Sequence, residues 1–275
     1  MKKASVLLAL LLAALLLAGC GLSPASPKLQ VTFFSAGKAD AILLSTEHGA
    51  VLIDAGEKGF GKEILSFCRS RGVYALDCMI LTHFDKDHAG GAPRVLRGLP
   101  VSRVLQTCPP EDGAAWESFA ASLEELGVEP VTVREELEFS LDGVVFTVNP
   151  PRQERYAESS DNNSSLIVTV TCGSCRLLFP GDAENLRLDE WLADHAAPFD
   201  FVKLPHHGAW HRAVGTLLEQ TRPAYALICC SSGEPEDPKT MKKLEKLGVR
   251  VFLTREGPVV LDCDGRSLTL RYAND

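Results

Sequence analysis

His83-Phe84-Asp85-Lys86-Asp87-His88 sets two imidazoles and two carboxylates within six residues, directly behind the apolar, strand-like stretch Cys78-Met79-Ile80-Leu81. Charged groups gathered at the edge of a core cost roughly several kcal/mol each unless something compensates them. Neutral imidazole and carboxylate are the nitrogen and oxygen ligands that divalent cations take. The run therefore reads as one half of a metal site at the end of a strand, and the rest of the chain must supply the other half.

Outward from this run, apolar stretches alternate with helix-period stretches. Strands are predicted over 29–34, 41–45, 50–53, 78–82, 101–106 and 144–149, with helices over 59–71, 92–97 and 116–126. Residues 150–164 read as a polar loop. The plan then repeats, with a hairpin over 166–171 and 176–179 and strands over 200–204, 225–229, 249–253, 259–262 and 268–272. Helices over 184–195, 213–219 and 238–247 lie between them. Two β-rich halves with interspersed helices imply an α/β (α+β) fold, two sheets face to face and flanked by helices.

The first twenty residues are of another kind. Lys2 and Lys3 precede an unbroken run of small and apolar residues, 4–18, which ends in Gly19-Cys20. The run is shorter than the ~20 residues that cross a bilayer and has the plan of a secretory signal. Leu17-Ala18-Gly19-Cys20 resembles a bacterial lipobox, which would make Cys20 the lipidated first residue of the mature chain; an ordinary cleaved signal or an uncleaved anchor is the alternative. Residues 1–20 are thus expected to be a signal, 21–28 a Pro/Ser tether, and 29–275 a single domain outside the membrane, held to lipid through Cys20.

Composition is that of an ordinary globular chain, 45% hydrophobic and 23% charged. The net charge is −8, and loss of Lys2 and Lys3 with the signal would make it −10. An acidic body disfavours non-specific binding of nucleic acid, which depends on cations neutralising phosphates. Most of the cysteines beyond Cys20 sit in apolar stretches. Cys172-Gly173-Ser174-Cys175 is the exception and suggests a two-residue hairpin, with its cysteines either joined or reduced.

Polar residues that their apolar context does not explain recur in four places: Asp54-Ala55-Gly56, the 83–88 run, Gly181-Asp182, and Lys203-Leu204-Pro205-His206-His207-Gly208. Five of the seven histidines, His83, His88, His206, His207 and His211, lie in or beside two of these segments. His48 and His195 read as surface residues.

In this order, the segments resemble the metallo-β-lactamase superfamily, from Leu29 to the end of the chain. Phe34 to Ala41, Asp85, Asn162-Asn163-Ser164-Ser165-Leu166 and Lys203 are similar to the extracytoplasmic domain of ComEC-type competence proteins. The resemblance implies an αββα sandwich of two mixed sheets and a site for two divalent ions, zinc or manganese. It gives His83 and Asp85 to the first metal, Asp87, His88 and His207 to the second, and Asp182 to both. Asp40, Asp54, Asn162 and Asn163 would stand behind the ligands or near the metal water. Asp87, His206 and Lys203 are the candidate catalytic residues, with His211 beside them. Such a pair lowers the pKa of a bridging water toward ~7 and clamps a phosphoryl or carbonyl transition state.

Three departures shape the expectation. Asp85 stands where the superfamily commonly has a second histidine, and no histidine lies near 162–165. Both make the first metal oxygen-rich, more accommodating of manganese, and argue against β-lactam hydrolysis. The competence-type His-Pro loop after the 225–229 strand is replaced by Ser231-Ser232-Gly233-Glu234-Pro235-Glu236-Asp237-Pro238. The expected function is hydrolysis of a phosphodiester, either a small wall or lipid diester or single-stranded DNA. The alternative is a non-enzymatic surface lipoprotein that binds metal or a ligand on the same fold.

Overall fold

Some strands of this chain are apolar throughout, and others alternate. AILLS, AVLIDA and CMIL are continuous runs, as strands covered on both faces require, whereas VVFTVN alternates between buried and half-buried positions. The computed structural model describes residues 28–274, so the signal, Cys20 and most of the tether lie outside the described residues. The chain runs β1 (Leu29–Phe33), β2 (Ala41–Ser45), β3 (Ala50–Ala55), α1 (Gly61–Ser70), β4 (Cys78–Leu81), α2 (Lys86–Ala89), α3 (Ala92–Gly98), β5 (Val104–Gln106), α4 (Ala114–Leu126) and β6 (Val131–Thr132). It continues through β7 (Leu137–Leu141), β8 (Val144–Asn149), α5 (Ser160–Asn163), β9 (Ile167–Cys172), β10 (Cys175–Phe179), α6 (Asn185–His195) and β11 (Phe201–Lys203). It closes with α7 (Arg212–Thr221), β12 (Tyr225–Ile228), α8 (Pro238–Leu247), β13 (Arg250–Leu253), β14 (Val259–Cys263) and β15 (Leu268–Tyr272).

One sheet has the order β15-β14-β1-β2-β3-β4-β5-β6 and the other β13-β12-β11-β10-β9-β8-β7. Both mix parallel and antiparallel pairs. Three apolar layers follow from this. Phe33, Phe179 and Phe201 meet between the sheets with ring centroids 5.2–6.1 Å apart. Residues of α1, α3 and α4 cover the outer face of the first sheet, and residues of α6, α7 and α8 that of the second. Each fully buried Leu or Phe in these layers contributes about 1.5–3 kcal/mol. The αββα sandwich expected from the sequence is the observed fold.

Three details differ from expectation. The sheets do not divide at the chain's midpoint, because β14 and β15 return to the first sheet and β7 and β8 already belong to the second. The polar 150–164 segment contains α5, which packs on α6. β6 was hidden by its short length, and β7 by its half-buried apolar positions alternating with exposed Glu138 and Ser140. Cys172 and Cys175 do face each other across the hairpin, and all the described cysteines are thiols. Among the described residues no helix is long and apolar enough to cross a membrane.

Candidate metal centre

Parallel β3 and β4 in one sheet and parallel β10 and β11 in the other point their carboxyl ends to the same edge of the sandwich. Such ends are where open sheets place ligands. Asp54 closes β3, residues 82–88 follow β4, Gly181-Asp182 follow β10, and the 3-10 turn Pro205–Gly208 follows β11. Asp40 enters just ahead of β2, its N–H donating to Asp87 O at 3.1 Å. Phe84, the apolar letter of the run, packs on Trp116 of α4 with centroids 4.8 Å apart and pins the loop. Glycines permit close approach around these loops. A Cβ on Gly91 would stand 2.1 Å from Ala55 O, and one on Gly181 2.9 Å from the Thr82 side chain.

Asp54 organises the first sheet's contribution. One carboxylate oxygen accepts from the Thr82 N–H at 2.8 Å. The other accepts from the Thr82 hydroxyl at 2.7 Å and lies 2.8 Å from His88 Nδ1. That partner places the His88 proton on Nδ1 and leaves the Nε2 lone pair free. The Thr82 hydroxyl, having donated to Asp54, accepts from His83 Nδ1 at 3.1 Å, which frees His83 Nε2 as well. Both rings are fully buried.

Asp182 organises the other half. Its Oδ2 lies 3.2 Å from His88 Nε2 and 3.1 Å from His207 Nε2, and Asp87 Oδ2 lies 3.3 Å from the same His207 atom. These nitrogens have the distance of a hydrogen bond without its alignment, and they and His83 Nε2 are buried with no partner that satisfies them. Two donors each about 2.0–2.1 Å from a tetrahedral zinc stand about 3.3 Å apart, which is the spacing observed. His83 Nε2 lies 3.6 Å from Asp85 Oδ2. The orphaned nitrogens and their spacing fit divalent-ion binding around Asp182: the ligand atoms of His83, His88 and Asp182 lie within 4.8 Å of one another, as do those of Asp40, His88 and His207.

Charge points the same way. Asp40, Asp54, Asp85, Asp87 and Asp182 set five carboxylates against the one ammonium of Lys203, a formal charge of −4 that two divalent cations would cancel. Without them, protons do part of that work. Burial alone would keep His207 neutral, yet Asp182, Asp87 and Asp40 raise it to about 9. Burial likewise opposes protonation of His88, and Asp182, Asp54 and Asp40 overcome it and raise its pKa well above the ordinary value. Burial would raise Asp182, but His207, His88 and Lys203 hold it well below the usual carboxylate range. Asp87, against the same burial, is lowered to about 2 by His207 and His88. The backbone is strained where these groups meet. Asp54, His206 and His207 have φ of 54°, 46° and 53°, a conformation that costs about 1–3 kcal/mol for a residue other than glycine.

The structure separates the remaining candidates by position. Lys203 is fully buried behind the site, ion-paired with Asp40 and 3.4 Å from Asp182 Oδ1. Its ammonium contacts carboxylates and the Gly181 carbonyl and is not exposed at the surface. Asp54 contacts Thr82 and His88, and Asp40 Oδ1 lies 3.6 Å from His207 Nδ1. Asn163 is turned away from the pair: its Oδ1 accepts from the N–H groups of Glu184 and Arg187 at 3.2 and 3.1 Å. Asn162 Nδ2 donates to Glu184 Oε1 at 2.8 Å. His206 sits half-buried at the rim. Thr82, Ser165, whose hydroxyl accepts from Asp182 N–H at 3.2 Å, and Glu184 were missed. Ser165 stands inside the quoted Asn162–Leu166 segment and Thr82 directly before the 83–88 run, without a role assigned to either, while Glu184 carried only its place two residues after Asp182.

The profile of the Metallo-beta-lactamase superfamily matches residues 35–232. "Recombination protein 2" of Haemophilus influenzae is 26% identical over 214 residues, 76% of this chain and 25% of that protein. "ComE operon protein 3" of Bacillus subtilis is 26% identical over 259 residues, 84% of this chain and 32% of that protein. The chain thus spans a third or less of the length of these relatives. Among solved structures, the metallo-beta-lactamase fold protein YhfI from Bacillus subtilis superposes with a TM-score of 0.57 at 13% identity, covering 83% of this chain and 98% of that one.

Proposed function

Because this chain belongs to the metallo-β-lactamase superfamily, we propose that it is a metal-dependent phosphodiester hydrolase that works outside the membrane, tethered to lipid through Cys20. The observation that carries the reading is the convergence of His83, His88, Asp87, His207 and Asp182 around orphaned imidazole nitrogens. Two divalent ions held there would supply Lewis acidity and a water made acidic enough to attack near neutral pH. The chain's own residues do the rest. Asp54 fixes the tautomer of His88 directly and that of His83 through Thr82. Lys203 and the Ser165 hydroxyl hold Asp182 between the two sides. Asp85 in place of a second imidazole makes the first side oxygen-rich, which suits manganese as well as zinc.

Two considerations choose the substrate class. One relative is named Recombination protein 2, and another, from Neisseria gonorrhoeae, Competence protein ComA, which supports a phosphodiester. The net charge of −8 favours a small diester over a long polyanion. The test is a substrate panel with the manganese- and the zinc-reconstituted protein, using a bis-aryl phosphate, a phosphorylcholine ester, single-stranded DNA and a β-lactam. Turnover of the bis-aryl phosphate or the phosphorylcholine ester is expected. Cleavage of small diesters at a salt-insensitive rate, with DNA untouched, would remove the nuclease version. A hit confined to the β-lactam, or no hydrolysis with either metal, would overturn the proposal.

A further inference from the structure

Beside the proposed pair, three more ligand atoms converge. His206 Nδ1 lies 3.1 Å from Glu184 Oε1 and 3.3 Å from His211 Nε2, and Glu184 Oε1 lies 4.0 Å from His211 Nε2. The imidazole rings are nearly parallel, 5.5 Å apart with 9° between their planes, and His206 Nδ1, His211 Nε2 and a Glu184 oxygen lie within 4.8 Å of one another. The side chains are 26%, 13% and 21% exposed for His206, Glu184 and His211, which leaves the point open to solvent on one side. Three lone-pair atoms facing one another are mutually unfavourable unless a proton or a cation lies between them, and one proton serves only one contact.

The scaffold holds this geometry in place. Glu184 precedes α6 and His211 precedes α7, and Asn185 Oδ1 accepts from the Ala213 N–H at 2.9 Å, which ties the two helix starts together. Asn162 Nδ2 holds Glu184 Oε1, while Asn163 Oδ1 accepts from the Glu184 N–H. The left-handed backbone at His206 and His207 sends adjacent histidines to different clusters, His207 to Asp182 and His206 to Glu184.

We infer that Glu184, His206 and His211 form a third divalent-cation site, separate from the Asp182-centred pair, with an open position facing solvent. Two imidazoles, one carboxylate and a free position are the ligand set of exchangeable, catalytic-type zinc. Beside a two-metal hydrolase centre such an ion would add positive charge for a phosphoryl oxygen of the substrate. That use rests on the proposed function, whereas the site itself does not.

The test is zinc stoichiometry and affinity of the full chain, with anomalous scattering at the zinc edge to locate the ions. The wild type is expected to hold a third equivalent that His211→Ala loses and His211→Cys, which restores a ligand, regains. Far-UV circular dichroism checks that each variant is folded. A wild type that binds two equivalents, both indifferent to His211→Ala, would overturn this inference and leave the pair intact. A wild type that binds a single equivalent, lost in His211→Ala, would support this site and sink the pair.

Discussion

His83 and His88 leave the same strand end, five residues apart, yet they are held differently. His88 donates to a fully buried carboxylate, Asp54, and faces Asp182, which Lys203 and Ser165 hold in turn. His83 donates only to the Thr82 hydroxyl, and its neighbour Asp85 is 42% exposed at the start of α2. One side of the centre is therefore backed by charges in a low-dielectric interior, where electrostatic partners are strongest. The other depends on a hydroxyl and a solvent-facing carboxylate. The difference predicts unequal metals: a tightly held ion with Asp87, His88 and His207, and an exchangeable one with His83 and Asp85.

The largest effect should come from the buried backing. Lys203→Met removes the buried ammonium against Asp40 and Asp182 and should destabilise the metal-free protein by about 3–5 kcal/mol, as breaking a buried pair does. Asp85→Asn on the exposed side should change stability by no more than about 0.5 kcal/mol. Chemical denaturation measures both, and equal losses would erase the distinction between the two sides. Next, Asp54→Asn should weaken metal binding about 10- to 100-fold, the usual effect of losing a carboxylate behind a ligating histidine. A metal-competition titration reads it, and an unchanged affinity would show that Asp54 serves the fold alone.

Protons give the third effect. Metal must displace the proton that Asp182, Asp87 and Asp40 keep on His207, whose pKa of about 9 lies above its ordinary 6.5. Between pH 7 and 9 apparent metal affinity should rise about tenfold per pH unit for that proton. The metal-free fold moves the opposite way. The stability that protonated His207 contributes is complete below pH 6.5 and is lost as pH rises through about 9. Melting curves with and without metal across this range should therefore diverge, and parallel curves would contradict the assignment. The smallest effect is Asp85→His, which should strengthen zinc on the weaker side by roughly tenfold and leave manganese nearly unchanged.

The meeting of His83, His88, Asp182 and His207 was legible in the sequence because imidazoles and carboxylates directly behind apolar strands have few structural uses. Phe84 within the run was legible only afterwards, as the ring that pins the loop on Trp116. The burial of Lys203 was not legible, because adjacency to His206 and His207 says nothing about which way a strand residue points, and β11 turns it into the interior. The meeting of Glu184 with His206 and His211 was hidden because it depends on how α6 and α7 start side by side. The return of β14 and β15 to the first sheet was equally invisible, since pairing between strands over 200 residues apart leaves no local pattern.

The most direct test of the account is hydrolysis of bis(p-nitrophenyl) phosphate by the manganese-reconstituted wild type and Asp182→Asn, side by side. Asp182 lies 3.2 Å from His88 Nε2 and 3.1 Å from His207 Nε2, and its ligand atom is within 4.8 Å of those of His83 and His88. Turnover by the wild type, reduced by roughly 1,000-fold in a folded Asp182→Asn, is predicted from the loss of the charge that holds the two sides together. Equal rates in the two proteins, or no hydrolysis by the loaded wild type, would contradict it.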